Sequence, residues 1–221
     1  MFTGIVEEVG RVARVGRSHS DLRLRIEADT VLSDLKIGDS VAVSGCCLTA
    51  VAVDAGGFEV ELTAETVRAT APRWQEGARV NLERAMPADG RFGGHVVAGH
   101  VEGVGTVTAR QEPEGALVLR VDAPPSMARW LIPKGSVTVD GVSLTVVDVG
   151  GPDGTDPDLP AHAFTLWLIP HTLEVTTLGE LRTGDRVNLE ADVMARYAAR
   201  SAALADLATD EASADVGGAD A

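Results

Sequence analysis

The chain is nearly the same sequence written twice, with the copies about 95 residues apart, a period too long for a solenoid unit and the size of a small domain. Thr3-Gly4-Ile5-Val6-Glu7 returns as Ala98-Gly99-His100-Val101-Glu102, and Gly45-Cys46-Cys47-Leu48-Thr49 returns as Gly141-Val142-Ser143-Leu144-Thr145. Val80-Asn81-Leu82-Glu83 recurs unchanged as Val187-Asn188-Leu189-Glu190. Two like domains therefore follow one another, and the places where they disagree are the best guide to chemistry. With 221 residues, 45% of them hydrophobic, both domains can fill a core.

Alternation dominates each copy. Asp21-Leu22-Arg23-Leu24-Arg25-Ile26-Glu27 has period 2, apolar on one face and charged on the other. Phe58-Glu59-Val60-Glu61-Leu62 repeats that pattern, and Phe164, Leu166 and Leu168 match it in the second copy. Short strands separated by Gly and Asp predict an all-β chain with a small closed barrel in each half. A helical turn is expected before the last strand of each copy, near Ala64–Ala71 and Pro170–Leu178. The offset between copies widens across Gly150–Leu159, which reads as a surface hairpin loop.

After Asp192 the residues become Ala-rich helix formers, with Val193, Tyr197, Leu204 and Leu207 at roughly helical spacing. A terminal helix outside two barrels either packs on its own barrel or forms a subunit contact. The reading divides the chain into barrels at 1–96 and 97–191, a helix at 192–208 and a disordered acidic tail at 209–221.

A formal charge of −14 without a Lys/Arg stripe argues against nucleic acid. No apolar run is long enough to span a membrane, and the N-terminus lacks a basic region followed by a hydrophobic stretch, so a cytoplasmic protein is expected. Cys46 and Cys47, the only two cysteines, are adjacent. They can form neither an ordinary disulfide nor a thiolate zinc site.

On a strand, Cys47 and Thr49 share one face, while Cys46, Leu48 and Ala50 share the other. The second copy sets Ser143 and Thr145 against Val142, Leu144 and Val146. One face is small and polar in both copies, which suits a pocket for a polar ligand as well as simple packing in a narrow barrel. His95 and His100 lie five apart, wrong for a helical metal pair or for one strand face, so no metal site is expected. His95 reads as a capped or core imidazole, whereas His100 replaces Ile5 of the first copy. His19 and His162 read as surface residues. Asp192, opposite Ala85 of the first copy, is a good helix N-cap and also a carboxylate available for proton transfer. Lys134, the only Lys of the second half, reads as a solvated turn residue.

Met1-Phe2-Thr3-Gly4-Ile5-Val6, Gly45-Cys46-Cys47-Leu48-Thr49, Gly94-His95-Val96-Val97-Ala98-Gly99-His100-Val101 and Asp140-Gly141-Val142-Ser143-Leu144-Thr145 together resemble the riboflavin synthase family, alpha-chain type. The resemblance runs from Met1 to about Leu207. It implies two six-stranded Greek-key barrels, a C-terminal helix and a homotrimer, with no metal or organic cofactor. The implied reaction is dismutation of two molecules of 6,7-dimethyl-8-ribityllumazine. A four-carbon unit passes between them, giving riboflavin and 5-amino-6-ribitylaminouracil. A lumazine protein, a non-catalytic carrier on the same barrels, is the alternative, and association with lumazine synthase is a further expectation.

Carried over residue by residue, the resemblance assigns one substrate pocket to Gly4, Ile5, Val6, Cys47, Leu48 and Thr49 with Glu61, Leu62, Thr63, Ala64, Glu65 and Thr66. The other takes Gly99, His100, Val101, Lys134, Ser143, Leu144 and Thr145 with Trp167, Leu168, Ile169, Pro170, His171 and Thr172. Phe2, Ser40, Cys47, His100 and Asp192 match positions where family members depend on the side chain. His100 is the candidate base, Cys47 or a water it orients the candidate nucleophile, and Asp192 a proton carrier. The departures from the family pattern are Ser44, where Asn is usual, and His171, opposite Glu65.

Overall fold

The computed structural model describes residues 1–18, 21–113 and 115–216. His19 and residues 217–221 of the expected tail lie outside the described residues. The first copy forms β1 (Glu8–Ser18), β2 (Asp21–Glu27), β3 (Ser40–Val43), β4 (Cys46–Asp54), β5 (Gly57–Leu62), α1 (Ala64–Ala69) and β6 (Arg79–Arg84). The second forms β7 (Gly103–Gln111), β8 (Leu117–Asp122), β9 (Ser136–Val139), β10 (Val142–Val149), β11 (Ala163–Leu168), α2 (Pro170–Val175) and β12 (Arg186–Ala191). A terminal helix, α3 (Val193–Val216), follows.

Each copy closes into an antiparallel barrel, in the order β1-β2-β5-β4-β3-β6 and its equivalent in the second half. Closure removes every free strand edge, and the β2–β5 neighbourhood makes the path a Greek key. The strands curl at bulges that recur at matched places, Val12/Arg14 with Val107/Ala109 and Ala50/Ala52 with Val146/Asp148. The alternating apolar residues point inward. Leu24, Ile26, Phe58, Val60 and Leu82 fill one core, and Leu119, Val121, Phe164, Leu166 and Leu189 fill the other. Gly150 to His162 connects β10 to β11 as the expected loop, closed on itself by the Asp148 carboxylate, which accepts from Thr155 N, Thr155 Oγ1 and Asp156 N.

The barrels meet about a local two-fold axis. Asn81 Nδ2 donates to the Asp140 carbonyl and Asn188 Nδ2 to the Ser44 carbonyl, both at 2.8 Å. The Asn188 and Asn81 amide oxygens accept from Ala71 N at 2.6 Å and Thr177 N at 2.8 Å. At the axis the hairpin turns Ser44-Gly45 and Asp140-Gly141 touch, with φ of 45° and 81° in one and 48° and 81° in the other. A side chain on Gly45 would lie 2.8 Å from Gly141 N, so both the turn type and the contact demand glycine. Ser44 takes the left-handed position that Asn favours, and its Oγ accepts from Asn81 N at 3.2 Å. One tie breaks the symmetry. Arg73 pairs with the fully buried Asp140 at 2.8 Å, and burial raises the Asp140 carboxyl above its usual range against the pull of Arg73.

The helix departs from expectation at its far end, since α3 continues past residue 208 to Val216. No Gly or Pro interrupts the sequence between Asp192 and Gly217, so local propensity carries the helix through the acidic residues. Its start is tied down: Asp192 Oδ1 accepts from Met194 N at 2.9 Å, and Arg196 pairs with Glu102 at 2.6 Å while lying over Trp130. On the helix surface Met194, Tyr197, Leu204 and Leu207 remain exposed.

Candidate active site

The chemistry collects where the barrels exchange their leading segments. The strap Thr3-Gly4-Ile5 is held by Glu83 on β6, whose carboxylate accepts from Thr3 N at 2.7 Å, Thr3 Oγ1 at 2.8 Å and Gly4 N at 3.0 Å. Glu190 on β12 holds Ala98 N at 2.7 Å and both Gly99 N and His100 N at 2.9 Å. Burial raises both carboxyls, Glu190 to about 6, although the N–H donors around each favour the charged form.

Each strap then reaches the opposite barrel. Ser143 N on β10 donates to the Gly4 carbonyl at 2.8 Å, and Cys47 N on β4 donates to the Gly99 carbonyl at 2.8 Å. The straps pair with each other through Phe2 N to Val97 O at 2.8 Å and Val97 N to Phe2 O at 3.0 Å. The expected grouping is therefore corrected: Gly4 belongs with Ser143, and Gly99 and His100 belong with Cys47. The duplication placed each strap near its own copy in the sequence reading, whereas the two-fold contact carries it across.

Within this frame the polar faces are as the strand period predicts. Cys46, Leu48, Val142 and Val146 point into the cores and Leu144 packs half-buried against one of them, while Cys47 and Ser143 are half-buried and Thr49 and Thr145 exposed. Burial, reinforced by the neighbouring Cys47, pushes the Cys46 thiol up to about 12, which leaves Cys47 as the available sulfur. Ser40 sits opposite Thr49 on β3 and faces a cleft of about 640 Å³ lined also by Ile5, Glu83, Ala85 and Met86.

The segment Glu61–Thr66 leaves β5 beside β4, with Thr63 capping α1 through Thr66 N at 3.2 Å. Arg23 occupies Glu61, Arg68 occupies Glu65, and Leu62 is buried, so this segment offers mainly backbone and the Thr63 and Thr66 hydroxyls. In the second copy Leu168 is buried, whereas Trp167 (60% exposed), Ile169, Pro170 and His171 stand open and Thr172 is half-buried. Ile5 and His100 are exposed as well, with Val6 and Val101 half-buried beside them. Lys134 corresponds to Gly38. Lys134 N donates to Val146 O as Gly38 N does to Ala50 O, both at 2.8 Å, and Lys134 holds φ of 66°.

Phe2 is corrected in another way. It is fully buried against Ala42, Val97 and Cys47, so it backs the Cys47 groove and cannot line it. Asp192 keeps its cap and lies close enough to His95 to act on its charge. His95 is half-buried with both nitrogens engaged, Nδ1 at 2.7 Å from Ser143 Oγ and Nε2 at 3.2 Å from Thr138 Oγ1. Sequence reasoning passed over Glu83 and Glu190, although the unchanged Val-Asn-Leu-Glu in both copies marks them. A separate cleft of about 590 Å³ between the barrels, lined by Arg11, Arg73, Arg79 and Arg186, holds none of the expected site residues. Among the described residues no His/Cys/Asp/Glu group could hold a metal, and no helix is long and apolar enough to cross a membrane.

Two closed barrels in tandem, each presenting a small polar groove completed by a strap held on the other, define a duplicated small-ligand-binding protein. The lumazine binding domain family matches residues 3–85 and 98–192, one match per barrel. A riboflavin synthase of Mycobacterium bovis is 45% identical over 202 residues, covering 90% of this chain and 97% of that one. The riboflavin synthase of Actinobacillus pleuropneumoniae is 40% identical over 198 residues, covering 89% and 87%. The chain belongs to the riboflavin synthase family. Its fold is shared by LumP crystallised with riboflavin, at a TM-score of 0.74 and 24% identity over 86% of this chain and 99% of that one. LumP complexed with 6,7-dimethyl-8-(1'-D-ribityl) lumazine superposes at 0.72, with 22% identity over the same shares.

Proposed function

We propose that this chain binds two molecules of 6,7-dimethyl-8-ribityllumazine and converts them to riboflavin and 5-amino-6-ribitylaminouracil. The observation that carries the reading is the pair of matched but unequal grooves, one built on Cys47 with the Gly99-His100 strap, the other on Ser143 with the Gly4-Ile5 strap. Two identical molecules in opposed roles need two similar sites that differ chemically. The overall transformation balances without an oxidant or reductant, so the residues must bind, orient and move protons. Holding two reactants face to face can supply a large part of such a barrier.

In the Cys47 groove, His100 is the candidate to take a proton from the 7-methyl group of one lumazine. Cys47, or a water it orients, is the candidate to add at C7 of the lumazine brought against it by the facing groove and start ring opening, with Asp192 moving protons from that second groove. Ser40, Thr49, Thr66, Thr145, Thr172 and Lys134 offer polar contacts to ring and ribityl oxygens, while exposed Ile5, Trp167 and Ile169 offer apolar cover to a ring.

The reading includes a homotrimer in which α3 is an assembly element. Its support is the uncovered stripe Met194, Tyr197, Leu204 and Leu207, at i, i+3, i+10 and i+13, on a helix tied to its own barrel at its first turns by Arg196. A cytoplasmic location rests on the sequence pattern, and association with lumazine synthase on the family resemblance alone. Incubating purified protein with the lumazine as sole substrate tests the activity. Equal amounts of riboflavin and the pyrimidine product are expected; tight lumazine binding without riboflavin would make the protein a carrier instead.

A further inference from the structure

Three side chains join in one run of hydrogen bonds in the second groove and, among the described residues, have no equivalent arrangement in the first. His95 stands between Ser143 and Thr138, the two residues that face each other across β10 and β9. The pair in the same register of the first barrel is Cys47 and Ala42, and there the sulfur side chain packs with Phe2, Ala42 and Val97. One groove therefore has a hydroxyl tied to an imidazole, and the other a thiol against an apolar wall. A side chain on Gly94 would meet the Thr3 carbonyl first and lie 2.7 Å from both Cβ and Oγ of Ser143, so the residue before His95 packs closely on the strap and on Ser143.

The imidazole works as a coupler. Burial favours the neutral ring, with Asp192 pulling the other way, and a neutral imidazole has one donor and one acceptor nitrogen. The charged groups around it are Asp192, Glu190 beside Thr138, and Glu83, which holds the Thr3 segment whose carbonyl accepts from His95 N at 3.1 Å. Thr138 is buried, so its hydroxyl is committed to Nε2. When Nδ1 carries the proton, it donates to Ser143 Oγ, and Ser143 turns its own hydrogen toward the groove. In the other tautomer Ser143 donates to the ring and turns its lone pairs outward.

We infer that His95 is a positioning residue that fixes the direction of the Ser143 hydroxyl, and so makes the second groove read a polar ring edge differently from the Cys47 groove. The inference rests on the grooves being the two lumazine sites. It is tested with His95→Phe, Ser143→Ala and the double variant, measuring kcat/KM for the lumazine and its equilibrium binding to both sites. Each single change lowers kcat/KM about tenfold, the worth of one hydrogen bond made to a ligand, and the double is no worse than the poorer single. Binding weakens at one site only, and His95→Gln, which can still bridge two hydroxyls, recovers most of the loss. Additive losses, or equal weakening of both sites, overturn the role of His95. Should His95→Phe not fold, Thr138→Val takes its place in the same cycle with the same expected non-additivity. A wild type that makes no riboflavin counts against the proposed function, and the two-site titration then still reads His95 by itself.

Discussion

Cys46 and Cys47 show how far a single position decides chemistry on a strand. One side chain is sealed in a barrel core with its thiol pushed up to about 12, and the next faces the groove beside the Gly99-His100 strap. Cys47→Ala should lower turnover by about a hundredfold or more while changing lumazine affinity only a few-fold, since a proton-transfer or nucleophilic role is expressed after binding. Steady-state kinetics beside equilibrium titration checks this, and unchanged turnover would reduce Cys47 to packing. Lys134 carries a different signature, a left-handed φ of 66° where the first copy has Gly38. Holding a lysine there costs about 1 kcal/mol, roughly the entropy a glycine would lose on folding, so Lys134→Gly should leave unfolding free energy within about 1 kcal/mol of wild type. The same variant should weaken lumazine binding. Equal binding would return Lys134 to an ordinary turn residue.

At the scale of elements, the straps depend on Glu83 and Glu190. Glu190 is raised from 4.5 to about 6, so the native state binds the extra proton between those values and the unfolded chain does not. Its share of stability is thus fully present below about pH 4.5 and is lost as pH rises through about 6, a swing of about 2 kcal/mol. Glu190→Gln should remove that swing, so that denaturant melts of variant and wild type diverge in slope between these pH values; parallel curves would show that Glu190 titrates as in the unfolded chain. His95, lowered by burial, acts in the opposite sense, its contribution falling as pH drops below its ordinary value. The terminal helix makes a simpler case. Ending the chain after Ala191 should break the proposed trimer and abolish activity, whereas ending it after Thr209 keeps Met194, Tyr197, Leu204 and Leu207 and should change neither. An intact trimer by sedimentation in the shorter chain would rule out α3 as the assembly element.

The strands, the two barrels, the polar faces of β4 and β10 and the Asp192 cap were legible because each follows from local spacing. The crossing of the straps was not. It is built from the Ser143–Gly4 and Cys47–Gly99 bonds, which join residues far apart in sequence, and from two turns that meet only in the folded molecule. The buried Phe2 and the bridging His95 were obscured for the same reason, since an apolar residue at a chain start and an isolated histidine carry no local mark of their partners. Residues identical in both copies, above all Asn81/Asn188 and Glu83/Glu190, proved to be the frame. Those that differ, Cys47/Ser143 and Ala42/Thr138, set the grooves apart.

For the whole molecule, the central claim is that two unequal grooves cooperate on one pair of substrates, and the proposed trimer would bring the second groove from a neighbouring subunit. Cys47→Ala damages the first groove and Asp192→Asn the second, and each should be inactive alone. Unfolded together and reassembled, with mixed trimers proven by distinct tags, they bring an intact Cys47 groove from one chain against an intact Ser143 groove from another. The account predicts that riboflavin formation returns to a minor fraction of wild type, because only some pairings are productive. No recovery in proven mixed trimers would contradict it, since a site made within one chain keeps a lesion in every copy.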